Sequence, residues 1–175
     1  MAELNSRDRL QPSLLDRLID VDPQAAQESV EGRILSRAQL RAAVLRDLTW
    51  LFNTTRPEPE VASERKAELA LWASHAEARR SVLNFGMPAF AGITLSSLDR
   101  LAMERAVLES IRCFEPRIDA DTLDVEISIH PYAHHNTVQL KIRGQLWAQP
   151  VPLELMLAAE VDVETGFTRV RDLRA

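Results

Sequence analysis

The chain has 175 residues, 46% of them hydrophobic and 27% charged, a length and balance that suit one compact domain with a core of its own. Its net charge of -5, from 26 Asp and Glu against 21 Lys and Arg, argues against nucleic acid, whose binding draws on clustered cations that release counterions. No apolar run reaches a membrane-spanning length and the polar start lacks a signal-peptide core, so the expected place is the cytoplasm, with no membrane insertion.

Residues 1–36 read as a polar arm in which Leu14, Leu15, Leu18 and Ile19 mark a short amphipathic docking helix. Ser36 is the expected N-cap of a helix whose Leu40, Ala43, Val44, Leu48, Leu51 and Phe52 share one face. Trp50 and Phe52 are both assigned to the core there. Pro57 and Pro59 make continuation improbable. From Ser63 to Arg80 the anchors Leu69, Leu71 and Trp72 are few, so this stretch reads as a second polar helix or as a mobile loop. Between Ser81 and Gly92 an apolar run is broken by two glycines and a proline, which predicts a strap pinned by large side chains.

Ser96 or Ser97 is the expected cap of the next helix, which runs from about Ser97 to Phe114. Its core stripe is read as Leu98, Leu101, Ala102, Val107, Leu108, Ile111 and Phe114. Cys113, the single cysteine, excludes an intrachain disulfide and fits this pattern as a small core residue. Glu115, Pro116 and Arg117 stand at its end, where the period of the sequence changes. From Leu123 the alternation is two: Leu123, Val125, Ile127 and Ile129, then after a loop Val138, Leu140, Ile142 and Gly144. If His130 faces Thr137, Glu126 lies opposite Lys141, Asp124 opposite Arg143, Ile127 opposite Leu140 and Val125 opposite Ile142. Charge and apolar pattern thus choose one antiparallel register. Leu153, Leu155, Leu157, Ala159, Val161 and Val163 predict a third strand, and Glu164-Thr165-Gly166 a turn into a short last strand, Phe167 to Arg171. The fold class is α+β: N-terminal helices and a motif-bearing helix packed on a mostly antiparallel sheet of about four strands.

The chemistry-bearing residues point away from catalysis. His130, His134 and His135 cluster near the hairpin loop, yet no Cys or acidic residue completes a ligand set at a usual spacing, so no metal and no other cofactor is expected. Glu115 with Asp119 or Asp121 could form a glycosidase pair, but aromatics to build a sugar-binding cleft are scarce. There is no glycine-rich phosphate loop and no nucleophile motif. A buried Glu and Arg fixed by an intervening proline suit a partner; equally, Arg117 could tether the helix end to the chain's own carboxylates.

Five blocks occur in order: Arg46 to Thr54, Ser81 to Pro88, Phe114 to Arg117, Gly144 to Trp147, and Asp162 to Gly166. Together they resemble the TssE family of type VI secretion baseplate proteins, relatives of the lysozyme-like wedge protein of contractile-phage baseplates. The resemblance covers nearly the whole chain from Leu14 onward. Phe52 and Phe85 depart from it, standing where relatives often carry other apolar residues. It implies a structural protein and no enzyme, with residues 1–36 as an arm and 37–175 as the wedge domain. It also implies a place in the cytoplasm at a baseplate docked on the inner-membrane complex, in a wedge with TssF and TssG, near TssK and the VgrG hub. The Glu-Pro-Arg motif of the family maps onto Glu115, Pro116 and Arg117 and is held to grip helices of the wedge partners. The sheet would serve as a template for strands of the TssB/TssC sheath, through an edge that is either the last strand, with Phe167, Thr168, Arg169 and Val170, or the strand Val138 to Leu146. The alternative is a peptidoglycan-cleaving, lysozyme-like hydrolase.

Overall fold

Three of the described helices start at short polar side chains that cap them, Ser13, Ser36 and Asp99. The computed structural model describes residues 13–19, 24, 35–59, 65–89, 99–129, 137–148 and 152–174. Ser13 and Asp16 form a capping box that opens α1 (Leu14–Leu18), and Ser36 with Gln39 forms another that opens α2 (Arg37–Phe52). Each box satisfies orphan N–H groups of the first turn at both ends of the motif. Residues 66–80 form α3 (Lys66–Ser74) and α4 (Ala76–Arg80), followed by a 3-10 turn, Val82–Asn84.

The motif-bearing helix, α5, spans Arg100–Phe114, and its cap is Asp99, whose carboxylate accepts from the Ala102 N–H at 3.0 Å. The expected caps Ser96 and Ser97, and Leu98, lie outside the described residues. Leu101 and Ala102 were expected in the core but are exposed. The buried stripe is Met103, Val107, Ser110 and Ile111, four positions spaced at one helical face, and 101 and 102 fall off it at 100° per residue.

The sheet is built from β1 (Asp124–Ile129), β2 (Thr137–Leu146), β3 (Leu153–Asp162) and β4 (Thr168–Asp172), in the order β1-β2-β3-β4 with every pair antiparallel. The β1/β2 register is the expected one, with Asp124 opposite Arg143, Glu126 opposite Lys141, Val125 opposite Ile142 and Ile127 opposite Leu140. The ion pair itself is diagonal, Arg143 reaching Glu126 at 3.6 Å. Position β2 is interior to the sheet, so Val138 to Leu146 is not an edge. Strand β4 runs from Thr168 to Asp172, one residue later at each end than expected, and the Phe167 N–H donates to Thr165 Oγ1 rather than to β3.

The sheet's inner face, with Ile127, Leu140, Ile142, Leu157 and Val161, closes on α2 through Val44, Leu48 and Leu51 and on α5 through Val107 and Ile111. Helix α5 lies against β1 and α2 against β4. Each such side chain contributes on the order of 1.5–3 kcal/mol by leaving water. The strap is pinned by large side chains as expected, with Met87 buried in the core and Phe85 packed edge-on to Phe114 at 5.3 Å between ring centroids; Val82 and Leu83 are exposed, and the backbone is held as well. Met87 N–H donates to Thr54 O at 2.7 Å and Arg56 N–H to Met87 O at 2.9 Å. That approach requires Gly86, whose φ is +132° and whose added Cβ would stand 2.5 Å from Thr54 O. Buried Asn84 accepts from Glu58 N–H and donates to the Glu58 carboxylate, which also receives Arg79 Nε at 2.8 Å.

Candidate functional site

Helix α5 delivers a carboxylate to its own C-terminal end, where the backbone partial charge is already negative. Glu115 N–H still donates to Ile111 O at 2.8 Å, and the residue is only 2% exposed. Such a group demands a cation. Pro116 stops the helix and turns the chain at the surface, which brings Arg117 back over the carboxylate. Arg117 Nε donates to Glu115 Oε1 at 2.6 Å and Nη2 donates to Oε2, the two-pronged geometry that suits a guanidinium. Nη2 also donates to Asp47 Oδ2 on α2.

From Asp47 the charges continue outward. Arg46 Nε donates to Asp47 Oδ1 at 2.8 Å, and Arg46 Nη1 to Asp16 Oδ1 of α1 at 2.7 Å. Five side chains of alternating sign thus join α1, α2 and the end of α5: Asp16, Arg46, Asp47, Arg117 and Glu115. Burial opposes the charge on Arg117, but the hydrogen bonds and charge of Glu115, then those of Asp47, outweigh it and raise its pKa well above the ordinary guanidinium value. The hydrogen bond from Arg46 to Asp47 likewise raises the Arg46 pKa. Desolvation would raise Asp16, yet the bonds from Ser13 and Arg46 hold it below the usual carboxylate range. Among the described residues three guanidinium nitrogens, Arg46 Nη2, Arg56 Nε and Arg117 Nη1, are buried without a hydrogen-bond partner, a costly state.

The backbone of the motif is fixed by the sheet. Trp147 N–H donates to Arg117 O and Asp119 N–H to Gln145 O, each at 2.8 Å, and Ile118 bridges Leu146. Gly144 allows this, since a Cβ there would meet Ile118 Cγ2 at 3.0 Å. Glu115, Pro116 and Arg117 are therefore brought together as expected, and the tether from Arg117 to the chain's own carboxylates is made. Asp47, the second of those carboxylates, is the residue that sequence reasoning missed. Its place on the apolar face itself, in line with Leu40, Ala43, Val44 and Leu51 at 3.6 residues per turn, was the available signal, since a carboxylate within a core stripe needs a cation.

Two expectations near this chain of charges are corrected. Helix α1 does not dock by its leucines: Leu14 and Leu18 are 76% and 74% exposed, and the half-buried residue is Asp16. The ion pair with Arg46 turns the polar side inward. Trp50 is not a core residue but 51% exposed, with the Arg46 guanidinium 5.3 Å from its ring centroid, a cation–π arrangement; Phe52 is buried as expected. Asp119 and Asp121 are both exposed, and Asp119 Oδ1 accepts from Asp121 N–H at 3.0 Å, as in a turn. Cys113 is half-buried, its thiol pushed up by burial and directed at Arg80 O. His130, His134 and His135 lie outside the described residues.

The edges of the sheet carry a second set of contacts. Asp162 N–H donates to Phe167 O and Leu173 N–H to Met156 O, so by antiparallel alternation Arg169 and Arg171 bond inward to β3 while Thr168, Val170 and Asp172 turn their N–H and C=O outward. At Thr168 the outward pair is taken: its N–H donates to Asn53 Oδ1 at 2.9 Å, and Asn53 Nδ2 donates to Thr168 O at 2.8 Å. On the opposite edge, Ile127 N–H donates to Glu104 Oε1 at 2.9 Å. Arg41 of α2 forks onto the Asp172 carboxylate at 3.1 and 3.4 Å.

No helix among the described residues is long and apolar enough to cross a membrane. A sequence model for a family described as baseplate wedge protein gp25 matches residues 38–151, well over half of the chain. No curated protein and no solved structure matches it.

Proposed function

Because this chain belongs to the baseplate wedge protein gp25 family, which is the TssE family, and is thus a structural component of a baseplate, we propose that it serves the type VI secretion wedge. In this reading it binds TssF and TssG through Glu115, Pro116 and Arg117, close to TssK and the VgrG hub. It works in the cytoplasm, at a baseplate docked on the inner-membrane complex. Residues 1–36 act as an arm and 37–175 as the wedge domain. The observation that carries the reading is Arg117 itself: a guanidinium locked by Glu115 and Asp47, its side chain 24% exposed beside the exposed Pro116. A helix-end carbonyl or a carboxylate from a wedge partner would complete it.

The test needs a variant that keeps the fold. Glu115→Leu with Arg117→Met removes both charges at once, which is far milder than stranding one of them. The double variant should fold yet lose co-purification with TssF and TssG, a loss on the order of 2–5 kcal/mol of binding. Capture equal to that of the unaltered protein would end the partner-gripping role.

The same reading makes β4 the template for TssB/TssC sheath strands. Of Phe167, Thr168, Arg169 and Val170, the residue whose outward backbone is open is Val170, so Val170→Pro is the informative change. It should leave the wedge assembled and block sheath polymerisation; normal sheath assembly with a folded variant would show that β4 is not the template.

A further inference from the structure

The contact between Asn53 and Thr168 has an unusual form. Asn53 is exposed and follows the last residue of α2. Its carboxamide nonetheless gives Thr168 one donor and one acceptor, at 2.8 and 2.9 Å. That is the pair of groups a residue of a neighbouring antiparallel strand presents at a hydrogen-bonded position. A side-chain amide is standing where the backbone of a fifth strand would stand.

Three features give this mimic a use. At the next outward position, Val170, no hydrogen bond is made on that side among the described residues, so an added strand has a rung beside the one that Asn53 occupies. Past Thr168, toward the turn between β3 and β4, the edge runs into a groove of about 300 Å³ whose lining includes Phe52, Asn53, Met87, Pro88, Thr165 and Phe167. Phe167 is 58% exposed there. The opposite edge is guarded differently: the Glu104 carboxylate on Ile127 N–H can only accept, and Arg100 approaches it at 3.7 Å, so it blocks a donor and repels the carbonyl of any incoming strand.

We propose that Asn53 is a displaceable backbone mimic that sets the register of strand addition to β4, and that the arriving segment is an extended, backbone-pairing stretch of a partner protein with an apolar residue for the groove of Phe52, Met87 and Phe167. This rests on the reading that β4 receives a strand. Pairing begins at Val170, and displacement of Asn53 from Thr168 adds the next rung. Because Asn53 is exposed, its release opens no cavity in the core. Its carboxamide keeps a bond to Thr49 O at 2.8 Å as an alternative partner.

The experiment uses the full chain and a capped synthetic peptide of alternating Thr and Val with one central Phe. Its affinity is measured by NMR titration for the unaltered protein, Asn53→Ala, Asn53→Asp and Val170→Pro, with amide exchange at Thr168 recorded in each. Two modest hydrogen bonds no longer need breaking in Asn53→Ala, so binding should tighten by about tenfold. Asn53→Asp keeps the acceptor but not the donor and should fall between. Val170→Pro should abolish binding. If Asn53→Ala frees the Thr168 amide to exchange while the affinity stays the same, Asn53 is not the gate, although β4 still accepts strands. If the peptide binds neither form, or binds Val170→Pro as well as the others, the strand-accepting edge itself is refuted.

Discussion

Replacing Arg117 with Ala strands Glu115, the most buried member of the charge chain. Among the described residues every donor to the Glu115 carboxylate comes from residue 117: Nε at 2.6 Å, Nη2, and the backbone N–H at 3.3 Å. After the substitution only the long backbone contact remains for a group that is 2% exposed. An uncompensated buried charge costs about 3–5 kcal/mol. In a domain of this size each kcal/mol moves the midpoint by about 2–4 °C, so the expected drop in Tm is about 6–20 °C. The pair Glu115→Leu with Arg117→Met should cost about 1 kcal/mol or less, because nothing charged is left stranded there and Asp47, 25% exposed, keeps Arg46 at 2.8 Å. Urea denaturation followed by circular dichroism reads both. The reasoning fails if Arg117→Ala costs under about 1 kcal/mol, or if the double variant is as unstable as the single one.

Gly86→Ala should destabilise by at least about 1–3 kcal/mol, since it combines a left-handed φ with a clash against Thr54 O; a wild-type Tm would mean that the strap is not held by that backbone pairing. Leu48→Ala, at a fully buried site facing the sheet, should cost about 2–5 kcal/mol in the same denaturation assay, and a loss below about 1 kcal/mol would place the core elsewhere. Asp16 and Asp172 are held below the usual carboxylate range, Asp172 because Arg41 and the Arg174 N–H outweigh its desolvation. Their stabilisation is complete above an unfolded value of about 3.9 and fades as pH falls through the lower folded value. Amide protection factors over Leu14–Leu18 should therefore fall below about pH 4 and be low at neutral pH in Asp16→Asn; protection indifferent to both would sever α1 from Arg46. Asp119→Asn and Asp121→Asn should leave baseplate function unchanged, and muramidase activity lost in either would revive the hydrolase alternative.

Much of the sheet is readable in the chain because two independent patterns agree there. The alternation Val125, Ile127 against Leu140, Ile142 and the opposed charges of Asp124, Glu126 and Lys141, Arg143 demand one register, and the strands take it. The cap of α5 was ambiguous, since Ser96, Ser97 and Asp99 are all competent acceptors and only packing decides which turn begins the helix. What governs the site was hidden for a different reason. Arg117 and Asp47 are 70 positions apart, and Asn53 and Thr168 are 115 apart; neither distance leaves a periodic trace. Helix α1 misleads outright, because its leucines have the spacing of a core stripe while a single ion pair decides which side faces in.

The strand order follows the chain, each strand pairing with the one before it, so the sheet can zip up as it is made, from local contacts that close quickly. Helix α2 has no such luck. Its sheet partner is β4, reached through Asn53 to Thr168 and Arg41 to Asp172, contacts 115 and 131 residues apart. At ribosomal speeds of about 5–20 residues per second, α2 waits on the order of ten seconds before the strand it packs against has even been synthesised. Throughout that interval Val44, Leu48 and Leu51 are a bare apolar stripe on a nascent chain. Of the elements whose side chains share that core, β4 is the last to be made, and it closes the sheet beside α2.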